Sequence, residues 1–107
     1  VNPRAALREA VRVLSPGGAI LVAEMIADSP WGRIYLERKH SGHPFYADAT
    51  FYTLRELTRL LEEAGLRVAA STSTLLQEPA ATKIVTEEPA RGIASDASFV
   101  CLLARAS

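Results

Sequence analysis

A single cysteine, Cys101, leaves the chain no intramolecular disulfide to fold around. It lies in an apolar run and reads as a small hydrophobe, so a reducing, cytoplasmic setting is expected. An excess of charge of one sign is missing as well. Twelve basic residues meet twelve acidic ones, which gives no electrostatic reason to expect nucleic acid or an anionic membrane surface as a partner. No apolar run approaches the roughly 20 residues that cross a bilayer, so no membrane span is expected. The N-terminal residues also lack the succession of basic, apolar and small residues that marks a secretory signal. Small molecules and other proteins remain as partner classes. A chain of 107 residues fits one domain with a thin core, burying roughly 60–65% of the surface that its unfolded form exposes.

Leu14-Ser15-Pro16-Gly17-Gly18 is the corner against which the remaining segments are placed. Before it, Asn2-Pro3 reads as a helix start, since Asn accepts a hydrogen bond from a free first-turn amide and Pro carries a preset φ. Leu7, Ala10, Val11 and Leu14 recur at helical spacing with Arg4, Arg8 and Arg12 on another face, which predicts an amphipathic helix over 3–14. Pro16 and the two glycines stop it. Beyond the corner, residues 19–27 are apolar at both alternating positions apart from Glu24, as in a strand covered on both sides. A carboxylate in such a strand must sit near its end or face a polar cleft, because burying a lone charge is expensive.

Residues 28–50 lose periodicity and gather Trp31, Tyr35, His40, His43, Phe45 and Tyr46. Ser29 and Pro30 are placed to start a short helix over 31–39, and 41–50 is expected to be irregular. An aromatic connection of this length reads as a functional segment or lid, or as a loop packed down on the body. Thr53-Leu54-Arg55-Glu56 is a capping box. It opens a helix with an apolar stripe of Leu54, Leu57, Leu60, Leu61 and Ala64, with Arg59 and Glu63 spaced to pair and Gly65 to close it. Residues 66–72 alternate weakly, as a half-exposed edge strand would. Residues 75–96 carry Pro79, Pro89 and Gly92 and read as loop, and Phe99 to Ala104 reads as a second covered strand, more central than 66–72.

In order and spacing, the segment from Leu7 to Gly18, the run Ile20-Leu21-Val22-Ala23-Glu24, Phe51-Tyr52-Thr53, the segment from Leu60 to Leu66 and the closing Phe99-Val100 resemble one family. It is the C-terminal half of the class I S-adenosylmethionine-dependent methyltransferases of the small-molecule, quinone-biosynthesis type. The resemblance implies an α/β, partial Rossmann-like fold as a single domain over 1–107. It would have about three strands, one plus a closing antiparallel pair, and two main helices. The last strand would insert between the other two. This half usually shapes the acceptor-substrate side, so Glu24, His40, His43, Phe45, Tyr46, Ser73 and Thr74 would surround an acceptor cleft. A histidine or tyrosine there could act as general base or orient an acceptor oxygen. Packed aromatics and surface histidines are the plainer reading of the same residues.

No nucleophile, base and orienting group can be matched from the sequence, so the catalytic residues stay unknown. His40, His43 and Asp48 lack a convincing further ligand, and no metal site is expected. Members of the family hold the cofactor with a glycine-rich turn after their first strand and an acidic residue ending their second. Gly17-Gly18 precedes a strand instead of following one. No cofactor-binding residue is therefore expected, and S-adenosylmethionine should not bind this chain alone. The expected function is a methyltransferase-like C-terminal segment, a fragment or shortened product, inactive alone and serving a small-molecule acceptor in a complete enzyme. The alternative is a non-catalytic, self-associating interaction module on the same half-fold. In both cases the bare edge of residues 19–27 is expected to join two copies as a dimer.

Overall fold

The structure, a computed structural model, describes residues 2–106. Three helices, α1 (Pro3–Arg12), α2 (Pro30–His40) and α3 (Leu54–Glu63), accompany four strands, β1 (Ala19–Met25), β2 (Leu66–Thr74), β3 (Ala90–Arg91) and β4 (Phe99–Ala106). The strands form one antiparallel sheet in the order β1-β4-β2-β3. The last long strand thus lies between the first two, as the resemblance implied. The two-residue β3, which pairs only with Thr72 and Ser73, is an addition inside the stretch read as loop. No helix among the described residues is long and apolar enough to cross a membrane.

Strand alternation decides where the core sits. Ile20 and Val22 on β1 share a face with Ala104 and Leu102, their register partners on β4. Against that face pack Leu57 and Leu61 of α3, with Leu7 and Val11 of α1 completing the cluster. A bulge between Val68 and Ala70 keeps Leu66 and Ser73 on the same side of β2 although their positions differ by an odd number. The opposite face is open. Leu21 is 68% exposed, and Cys101 and Leu103 are only half-buried. The expectation that residues 19–27 and 99–104 are covered on both faces is therefore not met among the described residues. Both main helices lie on one side, and among the described residues no second layer covers Leu21.

The helix ends follow the sequence signals closely. Asn2 Oδ1 accepts the Ala5 amide at 3.1 Å, and Thr53 Oγ1 accepts the Glu56 amide at 3.1 Å. Glu56 returns its carboxylate to the Thr53 hydroxyl instead of the Thr53 amide. Glu63 does not pair with Arg59. It takes Arg4 of α1 at 2.9 Å, an exposed pair that pins the two helices together by ~0.2–1 kcal/mol. At the opening corner Gly17 adopts φ +75°, a left-handed geometry that favours glycine, and its carbonyl accepts Arg105 at 2.9 Å.

The start of α2 is the tightest point. Ser29 Oγ accepts the Gly32 amide at 3.0 Å and donates to the Ile26 carbonyl at 2.5 Å. This draws the first turn of α2 onto the end of β1. A Cβ on Gly32 would stand 1.8 Å from the Ile26 carbonyl oxygen and 2.8 Å from that of Ala27. Helix propensity favours Ala over Gly by about 1 kcal/mol, yet here the clash decides the sign. Gly32→Ala should lower stability by ~1–3 kcal/mol in urea denaturation. A change within about 0.5 kcal/mol, typical of a surface substitution, would show that the corner yields freely.

Candidate functional site

A cavity of about 350 Å³ opens between α1, β1 and α3. Leu7 of α1, Val22 of β1, and Leu57 and Leu60 of α3 supply its apolar walls. The remaining wall comes from the segment that leads into α3, through Asp48, Thr50 and Tyr52. The backbone fixes that segment in place. Tyr52 forms a parallel bridge with Ile26 and its carbonyl accepts the Ala27 amide at 2.8 Å, which anchors the end of that segment to the chain just past β1.

Glu24 gives the cavity its electrostatic character. It lies on the helix-facing side of β1, opposite Val100 in register, and lines the cavity. Its carboxylate makes no hydrogen bond or ion pair with any described residue, and no lysine or arginine lines the cavity. Burial pushes its pKa up from the ordinary 4.5, since the charged form loses hydration without gaining a partner. Asp48 adds a second carboxylate on an exposed residue at the rim.

The other residues expected around a cleft fall in separate places. His43, Phe45 and Tyr46 are brought together: the His43 ring lies 4.9 Å from Tyr46 and 5.4 Å from Phe45, and its Nδ1 accepts the Phe45 amide at 3.2 Å. Tyr46 stacks at 5.0 Å on Tyr35 of α2, whose ring also meets Phe51 at 6.2 Å, while the Lys39 ammonium donates to the Ala49 carbonyl. This aromatic segment is folded back on α2, and Phe45 at its tip is 86% exposed. His40 ends α2, exposed and without a side-chain hydrogen bond. Ser73 is buried, and its hydroxyl donates to Gly92 O at 2.9 Å and accepts the Ala94 amide at 3.0 Å, which makes it a tie between β2 and the segment after β3. Thr74 is half-buried opposite Phe99 at the end of β2.

Of the seven residues, Glu24 alone lines the cavity. Sequence reasoning missed Thr50 and Tyr52 as wall residues and weighed Asp48 only as a metal ligand. A signal was available in Phe51-Tyr52-Thr53, where apolar residues immediately before a helix cap must pack on something nearby. No group of three or more potential ligands for a metal ion forms among the described residues.

The fit to S-adenosylmethionine can be judged at the β1–α2 connection, the one place among the described residues where a strand runs into a helix. No glycine lies between Met25 and Pro30, and the first-turn amides of Trp31 and Gly32 are already accepted by Ser98 Oγ and Ser29 Oγ at 3.1 and 3.0 Å. The residues at this corner do not fit the cofactor.

No family model matches the chain. An uncharacterized protein of Mycobacterium tuberculosis is 38% identical over 103 residues, covering 96% of this chain and 36% of that protein. An uncharacterized protein of Methanocaldococcus jannaschii is 36% identical over 77 residues, covering 72% of this chain and 37% of that protein. Among solved structures, a crystal structure from Thermotoga maritima superposes with a TM-score of 0.81 at 31% identity over 96% of this chain. It is described as a SAM-dependent methyltransferase, possible histamine N-methyltransferase. The chain has the fold of half a methyltransferase. It spans 48% of that structure and about a third of the length of the curated relatives it matches. In methyltransferase terms, β1 and the β2–β4 pair occupy the places that the sequence resemblance assigned to them.

The unpaired Glu24 carries a stability signature. Because its folded-state pKa is raised, its contribution is most favourable below the ordinary value of 4.5 and is lost as pH rises through the raised value. Glu24→Gln should therefore melt at a higher temperature than the parent near neutral pH, with the gap closing as pH falls to about 4.5. Coincident melting curves at neutral pH would mean that the carboxylate is solvated.

Proposed function

We propose that this chain forms the acceptor-substrate side of an S-adenosylmethionine-dependent methyltransferase, with the cavity between α1, β1 and α3 as the pocket for a small acceptor. The observation that carries the reading is the fold match to a methyltransferase over 96% of the chain. The β1–α2 corner, with its amides already bonded, supports an acceptor role over a cofactor role. The aromatic segment on α2 borders the cavity through its continuation into residues 48–52 and stands as the second element of the acceptor side.

The gene's whole product, assayed for transfer of labelled methyl from S-adenosylmethionine to small-molecule extracts, tests this. Val22→Phe, which fills the cavity, should reduce transfer at least about tenfold while S-adenosylmethionine affinity stays within about twofold. Loss of cofactor affinity with the same substitution would move the cavity to the cofactor side and overturn the assignment.

The open outer edge of β1 favours a second reading, a self-associating module that does no chemistry. From Ala19 to Met25 the edge opposite β4 has no strand partner among the described residues, and its side chains include no lysine, arginine or proline to block pairing. The 107-residue chain alone should then sediment as a dimer at micromolar concentration, and Leu21→Lys should shift it toward monomer. A parent chain that sediments as a monomer excludes this reading.

A further inference from the structure

The polar side of the cavity has one sign only. On the helix-facing side of β1 and β4 the side chains are Ile20, Val22, Val100, Leu102 and Ala104, and Glu24 is the single charged group among them. Its carboxylate has no donor from any described residue, although the chain contains twelve lysines and arginines. The basic residue of α1 nearest in sequence to the lining residue Pro3 is Arg4, and it is committed to Glu63. A half-buried carboxylate without a counter-charge is unfavourable, and a cationic ligand would offset it. Asp48, exposed at the rim, adds negative potential there, and the apolar walls around Glu24 limit the screening of its charge. Ligands bearing a carboxylate or phosphate are repelled by this arrangement. A neutral alcohol gains a hydrogen bond without relieving the charge. A metal ion would need more ligands than the described residues assemble. At about 350 Å³ the cavity stands at the small end of ligand pockets, which run from about 300 to 1,000 Å³.

We propose that this cavity binds a small organic cation, a protonated amine on a compact apolar body, with Glu24 as its counter-charge inside and Asp48 at the rim. As a statement about the acceptor the proposal rests on the methyltransferase reading, but as a statement about binding it stands on the cavity alone. Glu24 sets the charge preference, the walls formed by Leu7, Leu57 and Leu60 take the apolar body, and Tyr52 adds an aromatic surface of the kind that favours cations.

Calorimetric titration of the chain with three probes of one shape, 2-phenylethylamine, 2-phenylethanol and 3-phenylpropionate, tests the proposal. Near neutral pH the amine should bind at least about tenfold more tightly than the alcohol, and the propionate should bind most weakly. Glu24→Gln should reduce amine affinity about tenfold and leave the alcohol within about twofold. Asp48→Asn, at an exposed position with little effect on folding, should reduce amine affinity by about two- to threefold. Amine affinity should also fall as the solution is acidified and Glu24 takes a proton. Equal affinity for amine and alcohol, no binding of the amine, or an unchanged Glu24→Gln variant would each overturn the proposal. Amine binding in a protein whose methyl transfer is untouched by Val22→Phe would leave the inference standing and remove the assignment of the cavity as the acceptor pocket. The reverse pattern would do the opposite.

Discussion

Ser98 ties three segments together at the mouth of β4. Its carbonyl accepts the Ile26 amide at 2.8 Å, its hydroxyl accepts the Trp31 amide at 3.1 Å, and its own amide donates to Leu75 O at 3.2 Å. The ends of β1 and β2 and the beginning of α2 are thereby held at one fully buried residue. Buried polar groups that are all satisfied favour a single arrangement, because any other leaves a donor or acceptor dry. The cavity depends on this point. Ile26 and Ala27 are the residues that Tyr52 pairs with, so the wall formed by residues 48–52 is positioned from the same junction.

Much of the architecture was legible because it rests on local chemistry. Asn2, Thr53 and the Pro-Gly-Gly corner each act within a few residues of themselves, and helix starts at Pro3 and Leu54 follow directly. Apolar content ranked β4 as more central than β2, and the family resemblance supplied its insertion between β1 and β2. What could not be read depended on approach between distant segments. Nothing around Gly32 marks it as indispensable until Ile26 and Ala27 are seen against it. Arg59 and Glu63 have ideal helical spacing, yet Arg4 on another helix takes the carboxylate.

The site was legible in the same uneven way. Glu24 stood out as one charge in an apolar strand, and it is the residue on which the electrostatics of the cavity turn. Ser73 was conspicuous as a hydroxyl near a strand end, but a buried hydroxyl must find partners, and Gly92 and Ala94 supply them. His43, Phe45 and Tyr46 were grouped by composition. They are also grouped in space, as a cluster of tilted rings whose continuation in the chain walls the cavity.

The weak anchoring of α1 gives the cavity a thermodynamic role beyond holding a ligand. None of the helix's residues is fully buried; Leu7 and Val11 pack on the core, and one exposed ion pair joins it to α3. Pro3, Ala6 and Leu7 form one side of the cavity, whereas Leu57 and Leu60 form the other. A molecule between them adds contacts that exist only while α1 is docked, so its binding free energy is added to the docking of that helix. Docking of α1 and occupancy of the cavity are thus one linked equilibrium, so what the pocket contains sets how firmly the helix is held.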